Sequence, residues 1–197
     1  MEHREVVRRR HMVRRYRTDP VDPAALERVI EAAYRGPSAG FAQGISLVVV
    51  TSPETRSDIA ALAGEEAWVA KGRYPWLSVA PAHLVLCVEP GTYLQRYSEP
   101  DKDLAALAIP WWWIDGGAAL MLILHAAVDE GLAAGFLGSH AIPGISPLLG
   151  IPADVEVAGV ITVGHPLPEE PSSSARRGRR PKGHLTHRES WGGNTRR

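Results

Sequence analysis

The sequence predicts an α+β domain: a small central sheet, antiparallel or mixed, flanked by helices. Three observations carry this. Apolar runs of strand length stand at about 46–51, 83–89 and 155–163, the last alternating as VEVAGVITV. A single long apolar segment, 109–128, dominates the middle of the chain. Strands and helices do not alternate strictly, which disfavours a doubly wound parallel sheet. The 197 residues suffice for one full-sized domain with a real core.

Residues 2–10 read as a short basic helix. Asp22-Pro23 is a helix start, since the Asp side chain caps and Pro suits the first helical position. Leu26, Val29, Ile30 and Ala33 follow at helical spacing until Gly36-Pro37 stops the helix. The loop PSAGFAQ, 37–43, leads into the first strand, and Ser52-Pro53 opens a helix to about Gly64. Residues 65–81 are mixed, with Trp68, Tyr74 and Trp76 as candidate lid residues, and 90–110 read as loop. A helix is expected from about 112 to 130, ending at Gly131 and buried on nearly all sides within a domain or a dimer core. A short apolar piece, AAGFLGS, a turn of helix at 145–149 and the last strand follow. Beyond Pro166 the chain is polar and rich in Pro, Ser and Arg.

Lys+Arg and Asp+Glu both number 22, so no global field points to nucleic acid or to an acidic membrane. The lone cysteine, Cys87 in HLVLCVE, excludes an internal disulfide and fits a reducing compartment. With no signal peptide visible after Met1, a cytoplasmic location is expected. Segment 109–128 has the length of a membrane span, but it carries Asp115, His125 and Gly116-Gly117. An Asp at mid-membrane costs roughly 2.5–3.5 kcal/mol, so the segment reads as a core helix. No membrane or nucleic-acid partner is expected.

Sequence motifs of protein-borne catalysis are missing: there is no GxSxG, P-loop, CxxC or HExxH. His184 and His187 are three apart but lack a companion carboxylate or Cys, so no metal site is assigned. No catalytic acid, base or nucleophile is assigned either, and any redox chemistry must come from a cofactor. Two basic clusters stand out, RRRHMVRRYR at 8–17 and RRGRRPK at 176–182. Guanidinium forks bind phosphate through paired charge-assisted hydrogen bonds. Solvated basic tails are the alternative reading of the same clusters. Trp111, Trp112 and Trp113 cannot all face one way on a helix, so at least one is expected to meet a pocket or a partner; packing in the core and roofing a substrate or cofactor are the two readings of the run.

RRRHMVRRYR, DPVDPAALERVIEAAYRGPSAGFAQ, SLVVVTSPE, DEGLAAGFLGS, LLGIPADVEVAGVITVGHP and RRPKGHLTHRESW occur in that order. Together they resemble the FMN-dependent nitroreductase superfamily over nearly the whole chain. The resemblance implies a nitroreductase-like domain over 1–165 and a basic extension over 166–197, in a homodimer with swapped tails. It implies FMN as cofactor, NAD(P)H as electron donor and a small nitroaromatic, quinone or similar acceptor.

The resemblance also implies site residues. Arg10, His11, Met12 and Arg14 would hold the FMN phosphate and ribityl chain, and Arg177 and Arg179, or Arg180, would complete the phosphate site. Pro37, Ser38, Ala39, Gly40 and Gln43 would line the flavin from the partner subunit. Leu137, Gly138 and Ser139 would lie beside its ring, and Phe41, Trp111 and Trp112 would border the substrate pocket. Met12 stands where the family usually has Ser, which leaves only backbone contact there. Phe41 replaces the family's Asn, and PSAGFAQ is similar to the loop of flavin-destroying dimethylbenzimidazole synthases. That branch has Asp and Ser where this chain has Met12 and Gly138, which argues against its activity. Alternatives kept open are an FMN-sequestering protein without turnover and a flavin-destroying enzyme.

Overall fold

The computed structural model describes residues 1–168 and 175–193. Met1–Leu167 forms one compact unit and Pro168–Arg197 a second. Seven helices and four strands occur among the described residues: α1 His3–Arg9, α2 Pro23–Ala33, β1 Ile45–Val50, α3 Pro53–Leu62, α4 Glu65–Val69, β2 Ala82–Val88, α5 Pro90–Tyr97, α6 Trp111–Asp129, β3 Ala133–Gly138, α7 Ile145–Leu149 and β4 Glu156–Gly164.

The expected helix starts form as their sequences dictate. Asp22 accepts a hydrogen bond from the Ala24 N–H at the head of α2, and Ser52 accepts one from the Thr55 N–H at the head of α3. α6 ends in a Schellman motif: the Leu132 N–H bonds the Ala127 carbonyl at 2.8 Å and the Gly131 N–H bonds Val128 at 3.1 Å. This closure turns the chain directly into β3.

The sheet order is β1-β2-β4-β3 and every pairing is antiparallel. AAGFLGS is thus an edge strand, with Ala134 opposite Val163 and Leu137 opposite Val160. Central β2 is buried on both faces, and its side chains alternate between two cores. Leu84 and Leu86 join Leu26 and Val29 of α2 and Ile123 and Leu124 of α6. Val85 and Cys87 join Ile59, Trp76, Ile142 and Val160 on the other face. Cys87 is a small core residue as expected, and burial pushes its thiol up to about 11.

Three expectations need correction. Residues 90–110 contain α5 and a 3-10 segment, Leu104–Ala108, rather than plain loop. Pro90 starts α5, and its anchor is Tyr93, the one fully buried residue of this helix. Of the two settings expected for α6, burial within the domain alone does not hold: Trp113, Ile114 and Met121 are 41%, 52% and 43% exposed on the single chain. By length and composition it would suit a membrane span, yet it packs on α2 and the sheet. Trp76 is no lid residue; it is 1% exposed, at the centre of a core.

Candidate active site

The arginine-rich segment leaves α1 and runs extended across the start of β3. The Val13 N–H bonds the Ala134 carbonyl at 3.0 Å, and the Tyr16 hydroxyl donates to the Val13 carbonyl at 2.8 Å. The Arg17 N–H bonds His165 and the Leu167 N–H bonds Arg15, both at 2.9 Å, which fixes the segment's far end. Gly135 makes the crossing possible. A Cβ there would be driven into the Val13 carbonyl oxygen, and would lie 2.9 Å from Thr162 Oγ1 and 3.0 Å from the Trp76 ring.

Arg10 and Arg14 are half-buried, and the Arg14 guanidinium lies 5.3 Å from the Trp76 ring centroid, a cation–π seat. Trp76 is itself held by a carboxylate. Buried Glu65 accepts the N–H groups of Trp76, Leu77 and Ser78 at 2.7, 2.6 and 3.1 Å, and the Ser78 hydroxyl as well. Tyr74 donates to the Tyr16 carbonyl at 3.2 Å and carries the Arg15 guanidinium on its ring. His11 is exposed, with Nδ1 2.8 Å from the Arg9 carbonyl. Met12 is half-buried, its side chain packed against the α2–α6 core.

The loop 37–43 has a different setting. Gly40, Phe41 and Gln43 all adopt positive φ, at 61°, 56° and 58°. For Phe41 and Gln43 this left-handed backbone is strained. The turn is pinned internally by Phe41 N–H to the Ser38 carbonyl and Gln43 N–H to Ser38 Oγ, both at 2.8 Å. From outside, Asp115 Oδ2 accepts the Ala39 N–H at 2.9 Å and Arg96 Nε donates to the Gly40 carbonyl at 2.8 Å. Gly40 has no room for a side chain, because a Cβ would meet the Tyr97 ring at 2.9 Å. Ser38, Ala39 and Gly40 are half-buried, Pro37 and Gln43 exposed, and Phe41 is 74% exposed.

At the end of β3, Leu137, Gly138 and Ser139 are all half-buried. A Cβ on Gly138 would meet His140 Nδ1 at 2.8 Å. A shallow hollow of about 250 Å³ opens beside Ser139, with Ile142, Pro143 and Ser146 on its walls. Trp111 donates Nε1 to the Ala106 carbonyl at 2.9 Å. Trp112 lies 6.0 Å from the Tyr93 ring, and its buried Nε1 meets no acceptor among the described residues. Arg177, Arg179 and Arg180 are exposed on the second unit, where Arg180 Nη2 approaches the His184 carbonyl at 3.5 Å.

The loop and the arginine segment lie at opposite ends of α6. The loop is bonded to Asp115, in the helix's first turns. The arginine segment lies by its last turns, where His3 meets the His125 ring at 5.8 Å and Val13 meets Ala134. Asp115 and His125 are roughly 15 Å apart along the axis at about 1.5 Å per residue. Sequence reasoning missed Asp115, Tyr93, Arg96 and Glu65 as organisers of the site. Asp115 carried a signal, being a lone carboxylate in the first half of an apolar helix. Glu65 and Arg96 carried none, because the contacts by which they organise the site are made to backbone groups distant in sequence.

An antiparallel sheet of this order, backed by α2 and a long α6, is the nitroreductase fold. The structure matches that of Bacillus megaterium NfrA2 with a TM-score of 0.76 at 24% identity, over 96% of this chain and 75% of that one. It matches the NADPH:FMN oxidoreductase of Vibrio harveyi complexed with NAD+ at 0.74 and 22% identity, over 95% and 77%. A family model described as "Nitroreductase family" matches residues 7–165, and the chain belongs to that family. Among curated relatives, an NADH dehydrogenase of Thermus thermophilus is 30% identical over 82% of this chain and 85% of its own length. An FMN reductase [NAD(P)H] of Bacillus subtilis is 27% identical over 91% and 70%.

Proposed function

We propose that this protein is an FMN-dependent NAD(P)H oxidoreductase that delivers electrons to a small oxidised acceptor such as a nitroaromatic or a quinone. One observation carries the reading beyond family membership. The arginine segment is locked across β3 by the Val13–Ala134 bond, with Arg14 seated on Trp76. This supports a reading in which Arg10 and Arg14 would hold the phosphate monoester from a rigid support.

The residues present fit FMN. In this reading Met12 and His11 would offer backbone beside the arginines, and Gly138 and Ser139 would lie beside the flavin ring. Bound FMN would supply the hydride acceptor and donor that the side chains lack. The chain's own part is to neutralise the phosphate, orient the ring and shape the acceptor site. A thioether at Met12 and the missing side chain at Gly138 leave neither position able to supply the proton transfer that flavin destruction demands. For Arg177, Arg179 and Arg180 the support is the resemblance alone.

The active unit in this reading is a homodimer. Trp113, Gly117 and Met121 share one face of α6, which leaves an apolar stripe exposed on the single chain. The separation of loop and arginines along α6 also favours a cofactor held between two subunits. The test is an FMN titration of the Arg10→Ala, Arg14→Ala variant. Loss of two charge-assisted contacts is expected to cost roughly 3 kcal/mol or more, about a hundredfold in Kd. Unchanged affinity would overturn the phosphate assignment.

A further inference from the structure

We propose that Asp115 is a positioning residue for acceptor binding: its buried carboxylate, braced by Tyr93, holds the strained Ala39–Gln43 turn so that Phe41 stands out as one wall of the acceptor site. The proposal rests on the reading that this loop faces the cofactor and its substrate.

A single oxygen, Asp115 Oδ2, takes two donors, the Ala39 N–H at 2.9 Å and the Tyr93 hydroxyl at 2.7 Å. Asp115 is 4% exposed, and Tyr93 is fully buried. Burial, and then the Asp115 carboxylate, push the Tyr93 phenol above its ordinary range, so it stays a donor. Apart from Asp129 in its last turn, Asp115 is the only formally charged residue in α6. For helix packing alone an apolar side chain would serve as well or better. What the carboxylate adds is a fixed point for Ala39, the residue that opens the turn.

The turn needs one. Phe41 and Gln43 occupy left-handed backbone that costs an L-residue free energy, and such geometry persists only where its surroundings over-determine it. Asp115 holds the entry at Ala39, Arg96 holds the Gly40 carbonyl, and the Ser38 hydroxyl holds the exit at Gln43. The strain is not repaid inside the chain, since Phe41 is 74% exposed and belongs to neither core. An aromatic ring held outward on a clamped turn matches the requirement of a flat acceptor for a preformed apolar wall. Tyr93 extends the clamp to Trp112, whose ring lies 6.0 Å away, which links the loop to the tryptophan run.

The experiment is a double-mutant cycle on the FMN-loaded enzyme, with NADPH as donor and menadione as acceptor probe. Phe41→Ala is expected to raise the KM for menadione by roughly five- to tenfold. Asp115→Ala, which removes the oxygen that accepts both donors, is expected to raise it by a similar factor while Phe41 is present, and to add nothing in the Phe41→Ala background. A purely structural role would give factors that multiply, or a fall in kcat with KM unchanged, and either result overturns the proposal. Should Asp115→Ala fail to fold, Tyr93→Phe removes the brace alone and is judged by the same non-additivity. If Phe41→Ala leaves the KM unchanged, the loop does not face the acceptor, and the proposal falls while FMN binding stands. If the wild-type protein binds no FMN, the functional reading itself fails.

Discussion

Replacing Gly135 by Ala attacks the point where the segment carrying Arg10 and Arg14 crosses β3. The new Cβ would be forced into the Val13 carbonyl oxygen and would crowd Thr162 Oγ1 at 2.9 Å and the Trp76 ring at 3.0 Å. Two of these are rigid: a backbone carbonyl and an indole in a packed core. The segment must lift, which breaks the Val13–Ala134 bond and disturbs the Tyr16 hydroxyl that bonds both Val13 and Thr162. Overpacking costs about 1–3 kcal/mol and each lost hydrogen bond about 1 kcal/mol, so roughly 2–4 kcal/mol is expected. For a chain of this size that is a fall in Tm of about 5–15 °C. FMN affinity should fall with it, because Arg10 and Arg14 ride on the displaced segment. Thermal unfolding with and without FMN measures both effects. Gly91→Ala in α5 is the control: its Cβ would meet nothing within 4 Å, and stability should stay level or rise. Wild-type Tm and FMN affinity in the Gly135→Ala variant would refute the account of how the segment is held.

Fully buried His83 on β2 has its pKa pushed down to about 4, chiefly by burial. Against an unfolded value of about 6.5, the unfolded chain binds the extra proton in the window between. The stability from neutral His83 is therefore complete above about pH 6.5 and is lost as pH falls, by about 2 kcal/mol between pH 7 and 5. Urea unfolding across that range should show this loss and show it flattened in His83→Gln; an identical slope in the variant would contradict it. Sedimentation at micromolar concentration should give a dimer, and Met121→Glu on the exposed face of α6 should weaken it; a stable FMN-loaded monomer would refute the dimer reading.

The sheet and its helices were legible where local chemistry decides structure. Asp22-Pro23 and Ser52-Pro53 marked their helices, and the alternation of VEVAGVITV marked β4, because caps and binary patterning act within a few residues. α5 was not legible, since its polar surface resembles loop and only Tyr93 reaches the core. The outcome for Trp76 depended on Glu65, eleven positions earlier, gathering the backbone N–H groups of 76–78. No periodicity announces such a contact. The basic segment at 8–17 and the small-residue loop stood out in composition. Their placement at opposite ends of α6 did not, because it follows from tertiary packing. Asp115 was visible as an anomaly in an apolar helix, while its role needed the position of Ala39 to be known.

The most direct test of the central claim is the visible spectrum of the purified, FMN-loaded protein under anaerobic titration with NADH and with NADPH. The flavin band should bleach on addition of at least one of the two, and should return when menadione is added. A protein that binds FMN but shows no bleaching with either nucleotide would be a flavin-binding protein without this turnover, and would contradict the assignment as an NAD(P)H oxidoreductase.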